Sequence, residues 1–453
     1  MPGPAQQTEA RALLALLKDC LESKTIEQKR LEETLGKLKV LGRDVNNVSA
    51  IYNADGIKIL GSYAFGDFPP SISHEALRCI ANALLLLPET RQHSLKFGFD
   101  KQASDVLRDA NADEEFLLSR ILFLLTYDPG IDLETLVAEH GLAESIIRKL
   151  SRHAEQVENS ERTGLAGQGN MAMMETLKLL FNATSIKTDQ AVEFKPAVAQ
   201  IFHILKYTDI PSPPLQPPVS LLINALANLD IDDEITQAAE TNSAVAKLIS
   251  ILEQAIQRHP STELDTTAVP LLTVLRKINE AAPPDLRNSM KARLLPDDKE
   301  RDQPLGKSSS LASQLLRLTT SSGMLNLSEA ISGLMFELSG KDAAEYVKNV
   351  GYGYAAGYLM THKIPIPEGA KSQSSGESSN HVPINPITGQ RLDKEPDIEL
   401  PNMTREEKER EAERLFVLFE RLKATGVVNV KNPVEVANEA GRIEELSDSD
   451  SVE

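Results

Sequence analysis

The chain has no tryptophan, and aromatic residues make up only 4% of its 453 positions. β-Sandwiches and barrels draw on aromatic and β-branched residues, so this scarcity argues against them. Leu and Ala dominate instead, which suits packed helices. Cysteine is nearly absent. Cys20 and Cys79 are the only two, which excludes a cysteine-built zinc site and points to a reducing compartment. Both stand in apolar helical contexts, where a thiol is expected to be buried. Cations are outnumbered: 48 Lys and Arg against 66 Asp and Glu give a formal net charge of −18. A surface that tracks nucleic-acid phosphates needs the opposite excess, so nucleic acid is not an expected partner, although a local basic groove is compatible with the total. There is no unbroken apolar run of transmembrane length and no recognisable secretion or lipidation signal. The expectation is a soluble cytoplasmic protein with no stable membrane insertion, compatible with transient visits to the plasma membrane or cell cortex.

What is present is a chain too long for one compact core, with 41% apolar residues to bury. Residues 8–42 read as two helices, "EARALLALLKDCLESK" and "IEQKRLEETLGKLKVLG". After them come "ALRCIANALLLLPE", "LLSRILFLLTY", "METLKLLFN", "VSLLINALANL", "AVPLLTVLRKIN" and "ASQLLRLTT", each of helix length, apolar at three- and four-residue steps and bounded by turn residues. No strand pattern intervenes over any long stretch.

These segments share a signature of apolar, two residues, apolar, one residue, polar. It runs through Leu38–Leu41–Arg43, Leu77–Ile80–Asn82, Ile121–Leu124–Thr126 and Leu177–Leu180–Asn182, then Ile223–Leu226–Asn228, Leu272–Leu275–Lys277 and Leu315–Leu318–Thr320. The polar members are separated by 39, 44, 56, 46, 49 and 43 residues. Armadillo and HEAT repeats have a period of about 40–47 residues. The longer gaps coincide with the insertions 158–170 and 209–218, which belong on loops. One helical hairpin cannot bury both its apolar faces, so stacked hairpins bury them between neighbours and wind a superhelix. The fold expected is therefore all-α, an armadillo/HEAT-like solenoid over residues 1–363.

A residue at one place in every repeat forms a ladder along the groove. One helical turn before the ladder stand Lys39 (before Arg43), Arg78 (before Asn82), Lys178 (before Asn182) and Asn224 (before Asn228). Amides suit a peptide backbone and cations suit carboxylates, so the ladder predicts a groove for a peptide segment carrying acidic groups, a chain terminus among them. The bland alternatives are that each Asn ends its helix in a left-handed conformation and that each cation is merely solvated. Other motifs carry less. "GLAGQGN" lacks a preceding strand and the GK[ST] of a phosphate loop. No histidine pair has zinc spacing, and His74, His93, His140, His153 and His203 read as scattered surface or supporting residues. No nucleophile–base set or cofactor loop is recognisable, so neither an enzyme nor a cofactor is expected. "GYGYAAGYL" (351–359) reads either as a tight helix–helix turn or as a close-contact surface with hydroxyl donors.

From about 364 the composition turns to Pro, Ser and polar residues, which predicts a flexible linker over 364–403. A helix follows over 404–426, begun by the Thr404–Glu407 capping box and carrying Leu415, Val417, Leu418, Phe419 and Leu422 on its apolar side. Residues 427–453 read as a flexible acidic tail.

The order and spacing of "YVKNVGYGYAAGYL", "INPITGQ" and "MTREEKEREAERLFVLFERL…GVV" resemble the synembryn family, and "KVLGRD", "EALRCIAN", "RILFLLT", "LKLLFNAT" and "LLINALANL" look like its repeat helices in the same order. The resemblance spans most of the chain, the middle loops least. It implies an armadillo/HEAT-like superhelix and a cytosolic chaperone and receptor-independent guanine nucleotide exchange factor for heterotrimeric G-protein α subunits. Such a protein captures the C-terminal helix of the GDP-bound or nucleotide-free subunit in its groove. Carried over residue by residue, the family's basic pair falls on Lys39 and Arg43, an amide on Asn82 and a later basic position on Arg317. Lys39 stands where an Arg is more usual, which keeps the charge but loses bidentate geometry. The resemblance further implies that 404–426 contacts the partner's nucleotide-binding domain. Where animal relatives carry an acidic phosphorylated stretch before the "INP[IV]TG" motif, this chain has "SQSSGESS". Ser374 (with Glu377) and Ser447 (with Asp450) are the expected phosphorylation positions. A monomer is expected. The alternative function is an armadillo-type scaffold or adaptor that binds linear peptides without nucleotide exchange.

Overall fold

The computed structural model describes residues 4–23, 27–44, 46–161, 169–232, 239–321, 323–365, 384–385 and 387–395, and isolated positions between 404 and 417. In chain order the helices are α1 (Pro4–Ser23), α2 (Gln28–Leu41), the single turn α3 (Val48–Ile51), α4 (Ala54–Phe65), α5 (Pro70–Leu86), α6 (Glu89–Lys96) and α7 (Phe99–Leu107). Next come α8 (Ala112–Leu125), α9 (Leu133–Ala138), α10 (Leu142–Glu161), α11 (Gly169–Ile186), α12 (Ala197–Tyr207) and α13 (Val219–Asn228). The last are α14 (Ala239–Arg258), α15 (Ser261–Thr267), α16 (Val269–Ala281), α17 (Pro284–Leu294), α18 (Leu311–Thr319), α19 (Leu325–Leu338), α20 (Ala343–Val350) and α21 (Tyr352–Thr361). Among the described residues the only β-pairing is an isolated bridge between Ile384 and Arg391. The fold is an all-α helical-repeat array.

Local chemistry sets the helix ends. Asn111 accepts from the amides of Asp113 and Glu114 while Glu114 returns a bond to the Asn111 amide, a complete capping box at the start of α8. Asn53, Asp132, Ser310 and Asp342 cap α4, α9, α18 and α20 in the same sense. Proline sits in the first turn of α5, α16 and α17, where its missing N–H has no helical partner to lose.

Two rows of helices follow from the repeat. Helices α2, α5, α8, α11, α13, α16 and α19 pack each on the next, and α1, α4, α7, α10, α12 and α14 form a second row behind them. The apolar members of the signature are the core of the first row: Leu77, Ile80, Ile121, Leu124, Leu177, Leu180, Ile223, Leu226, Leu272 and Leu275 are all buried. Each such side chain contributes roughly 1.5–3 kcal/mol relative to exposure, so the row is held mainly by these contacts. Both cysteines are buried, as their contexts implied.

Two expectations are corrected. The seventh ladder member, Thr320, lies just past α18, and α18 is not the helix that follows α16 in the row; α19 is. The insertion 296–309 is followed by one extra apolar helix, and the signature matched that helix instead. Second, the stretch 364–403 is not loose throughout. Residues 384–385 and 387–394 are bonded to the end of the array: Leu305 N donates to Thr388 O, Arg391 N to Arg301 O and Gly353 N to Ile387 O. The compact unit accordingly runs to Lys394, and a second unit begins at Glu395. The expected helix 404–426, the tail, Ser374, Ser447 and most of "GLAGQGN" lie outside the described residues, apart from a few isolated positions.

Candidate functional site: the face of the first helix row

The signature's polar members answer a structural question first. Asn82 Nδ2 donates to the carbonyl of Lys39 in α2 (3.5 Å), and Asn182 Nδ2 donates to Thr126 Oγ1 at the end of α8 (2.7 Å). Asn228 Nδ2 donates to Phe181 O (3.2 Å) and Ser185 Oγ (2.6 Å) in α11, and Lys277 Nζ to Ala227 O (2.7 Å) and Leu229 O (2.8 Å) at the end of α13. Each therefore caps the helix of the preceding repeat, supplying a donor to carbonyls or a hydroxyl at its C-terminal end. None terminates its own helix in the left-handed conformation. Asn82 and Asn182 lie within α5 and α11, and Asn228 is the last residue of α13. Burial pushes the Lys277 ammonium below the ordinary lysine range, while Asp230 works in the opposite sense.

The cations one turn earlier are held by carboxylates of the same face. Glu75 accepts from Arg78 (2.7 Å) in its own helix and pairs with Lys39 (2.6 Å) in the preceding one. Glu175 repeats the arrangement, pairing with Lys178 (2.7 Å) in α11 and Arg120 (3.1 Å) in α8. Further along, Arg276 on α16 pairs with Glu337 on α19 (2.6 Å). Arg43 differs. It is exposed just past α2 and forms no ion pair among the described residues. It lies near the buried Tyr52 hydroxyl, whose proton affinity burial raises.

Large apolar side chains are exposed on the same helices. Val40, Leu85, Tyr127 and Phe181 are 61, 49, 56 and 36% exposed, unusual for large side chains on packed helices. Phe123, Tyr127, Lys178, Phe181, Asn182, Leu221 and Asn224 line one cleft that crosses α8, α11 and α13. Lys178 Nζ lies 5.5 Å from the centre of the Phe123 ring and Arg91 Cζ lies 5.4 Å from that of Tyr127, distances at which a cation is attracted to the π-face. The face thus presents apolar side chains flanked by fixed cations and amides, a chemistry complementary to an amphipathic helix with acidic or polar flanks.

Of the expected site residues, Lys39, Arg43, Arg78 and Asn82 cluster where α2 meets α5, and Lys178, Asn182 and Asn224 share the cleft. Asn228 sits at the next junction. Arg317 stands apart. It projects from α18, outside the row, and donates to the carbonyls of Gly306 (2.6 Å) and Ser308 (2.9 Å). The sequence reading missed Glu75, Glu175, Arg120 and the apolar lining of the cleft. A signal was present: Glu75–Arg78–Asn82 and Glu175–Lys178–Asn182 have identical spacing.

His153 takes the supporting rather than the surface place. It is buried and bonds Glu115 Oε1 (2.7 Å), which also accepts from Thr176 (2.9 Å), while Arg152 pairs with the other carboxylate oxygen. Among the described residues no cluster of His, Cys, Asp and Glu could hold a metal ion, and no helix is long and apolar enough to cross a membrane.

Residues 34–442 match the family described as guanine nucleotide exchange factor synembryn. A chaperone Ric-8A of Macaca fascicularis is 25% identical over 94% of this chain and 86% of its own length. A synembryn-like chaperone of Schizosaccharomyces pombe is 24% identical over 82% of this chain and 76% of its own. Among solved structures, an engineered protein aligns at a TM-score of 0.44 and 13% identity, covering 79% of this chain and 88% of that one.

Proposed function

The chain belongs to the synembryn family of guanine nucleotide exchange factors, and on that premise we propose that it binds a heterotrimeric G-protein α subunit, in its GDP-bound or nucleotide-free form, through the face of the first helix row. The observation that carries this reading is the cleft of Phe123, Tyr127, Phe181 and Leu221 set beside internally paired cations. An amphipathic helix buries its apolar side in that cleft. Its acidic or terminal groups meet Arg43, Lys39 and Lys178, and the amide oxygens of Asn182 and Asn228 take its donors.

The chain works by binding alone; no bond is made or broken in the protein. Holding the subunit's C-terminal helix away from the subunit's own core favours the nucleotide-empty state, so GDP leaves. GTP binding then selects a state with low affinity for the groove, and the complex dissociates. What drives exchange is the difference in affinity between the two states, not tight binding in itself. The same preference shelters an incompletely folded subunit, which is the chaperone activity carried in the relatives' names. In this reading residues 404–426 make a second contact, on the subunit's nucleotide-binding domain. The rival, an adaptor for linear peptides, uses the same groove but predicts no effect on nucleotide.

The test is paired. Purified α subunit loaded with GDP or with a GTP analogue is captured by the chain, and the GDP release rate is measured with and without it. The reading expects capture of the GDP and empty forms, loss of capture with the GTP analogue, and accelerated release. Capture that ignores the nucleotide, with an unchanged release rate, selects the adaptor.

A further inference from the structure

The "INPITGQ" and "GYGYAAGYL" segments, some thirty residues apart, meet at the end of the array. Asn385 closes a turn by accepting from the amides of Ile387 (2.9 Å) and Thr388 (3.3 Å) through its side chain, while its carbonyl accepts from Gly389 N (2.9 Å). The turn's Ile387 carbonyl then accepts from Gly353 N (3.2 Å) at the start of α21. Two glycines make this approach possible. Gly389 has φ +70°, and a Cβ there would lie 2.4 Å from Leu305 Cδ1; Gly351 has φ +81°, and its Cβ would lie 3.2 Å from Ile387 O. A side chain at either position is strained by both backbone and neighbour.

Arg301 clamps the turn from the solenoid side. It is 6% exposed and forms no ion pair among the described residues. Its Nη1 donates to Gly389 O (3.0 Å), and Nη2 donates to Lys348 O (2.8 Å) and Asn349 O (3.2 Å), carbonyls of the last turn of α20. Gln390 adds bonds to Asp302 O (3.2 Å) and Lys394 O (3.0 Å). Burying a guanidinium against carbonyls alone is costly, and it is tolerated here because a helix C-terminus carries negative partial charge. One cation thus ties the end of the solenoid to a loop 88 residues further on.

We infer that Arg301 is a positioning residue that fixes the point from which the C-terminal segment leaves the solenoid, and so sets the effective concentration of that segment's contact with the α subunit. The inference rests on the proposed second contact by 404–426. With the turn clamped, nine residues (395–403) separate the anchored chain from that segment; with it released, the separation is the 39 residues 365–403. Effective concentration falls with roughly the −3/2 power of linker length, so release weakens the two-site complex about ninefold without altering either contact.

The test uses the full chain and four variants. Gly389→Ala breaks the clamp from the loop side and Arg301→Ala from the solenoid side. Gly323→Ala introduces a residue at an equally unusual backbone angle in open space away from the turn and controls for local strain. The fourth, with Leu415, Leu418 and Leu422 changed to serine, disables the second contact. For each, Kd is measured for GDP-loaded α subunit and for a synthetic peptide of its C-terminal helix, and hydrogen exchange is followed at the amides of Leu305, Gly353 and Arg391. Both clamp variants should free those amides, keep the peptide Kd within about twofold and weaken whole-subunit binding about ninefold. Amides that stay protected overturn the clamp. Whole-subunit affinity unchanged while the amides exchange freely overturns the positioning role, as does a peptide Kd that rises in parallel. If the serine variant binds the whole subunit as tightly as the parent chain, the proposed second contact has failed, and the inference falls with it for that separate reason.

Discussion

Replacing Glu115 removes the charge on which three elements of the groove's foundation converge. The side chain is fully buried in α8. It accepts from His153 Nε2 (2.7 Å) on α10 and Thr176 Oγ1 (2.9 Å) on α11, pairs with Arg152 on α10, and Ser119 extends the network to Thr176 (3.0 Å). Arg152 and Lys149 also donate to Ala110 O, so the same cluster fixes the α7–α8 connection. Removing one partner of a buried pair costs about 3–5 kcal/mol, because the other charge is left uncompensated. Glu115→Ala should therefore lower the melting temperature by several degrees, since each kcal/mol is worth about 2–4 °C in a unit of 150–250 residues and less in a longer one. Glu115→Gln keeps the shape and part of the bonding and should lose about half as much. The pH dependence has a definite sign. Burial pushes the Glu115 carboxyl up, but His153, Thr176 and Arg152 outweigh it and hold the group below its ordinary value of 4.5. Its contribution is thus fully present above pH 4.5 and fades as pH falls through the lower, folded-state value. Thermal melting of the parent chain and Glu115→Gln between pH 7 and pH 3 reads both effects, and the gap between them should close on the acid side. A gap under 1 °C at pH 7, or one that stays constant into acid, would refute the reasoning.

Two further outcomes concern the first helix row. Glu175→Gln frees Lys178 and Arg120 from their internal carboxylate, so affinity for an acidic helical peptide should rise severalfold with a steeper salt dependence, measured by fluorescence anisotropy across ionic strength. Cys79 is fully buried, and burial beside Glu75 pushes its thiol up to about 12. In the native chain at pH 8 it should not be labelled by a thiol reagent within the time that labels the unfolded chain completely, and prompt labelling would mean that α5 opens readily.

Much of this architecture was legible in the residues because it depends on periodicity. The apolar steps of Leu177–Leu180 and their counterparts are both the sequence signature and the buried seam of the first row. The polar member was legible as a recurrence but not as a bond. Asn182 pairs with Thr126, 56 residues away, and helical spacing says nothing about which neighbouring helix lies within reach. The carboxylates were within reach of a spacing argument, since Glu75 and Glu175 stand three residues before Arg78 and Lys178. Attention to cations alone passed over them. The docking of 384–385 and 387–394 was hidden for another reason. Its composition is that of a loop, and what holds it is backbone hydrogen bonding and one buried arginine, neither of which leaves a pattern. His153 belongs to the same class, a polar residue buried because a distant Glu115 compensates it.

The central claim is that the first-row face grips the α subunit's C-terminal helix, and photo-crosslinking tests it most directly. Phe181, on that face, and Val106, exposed on α7 in the second row, are each replaced by benzoyl-phenylalanine in the full chain, mixed with GDP-loaded α subunit and irradiated. The account predicts a crosslink from position 181 that maps to the subunit's C-terminal helix, and none from position 106. Crosslinks from 106, or from 181 to some other part of the subunit, would contradict it.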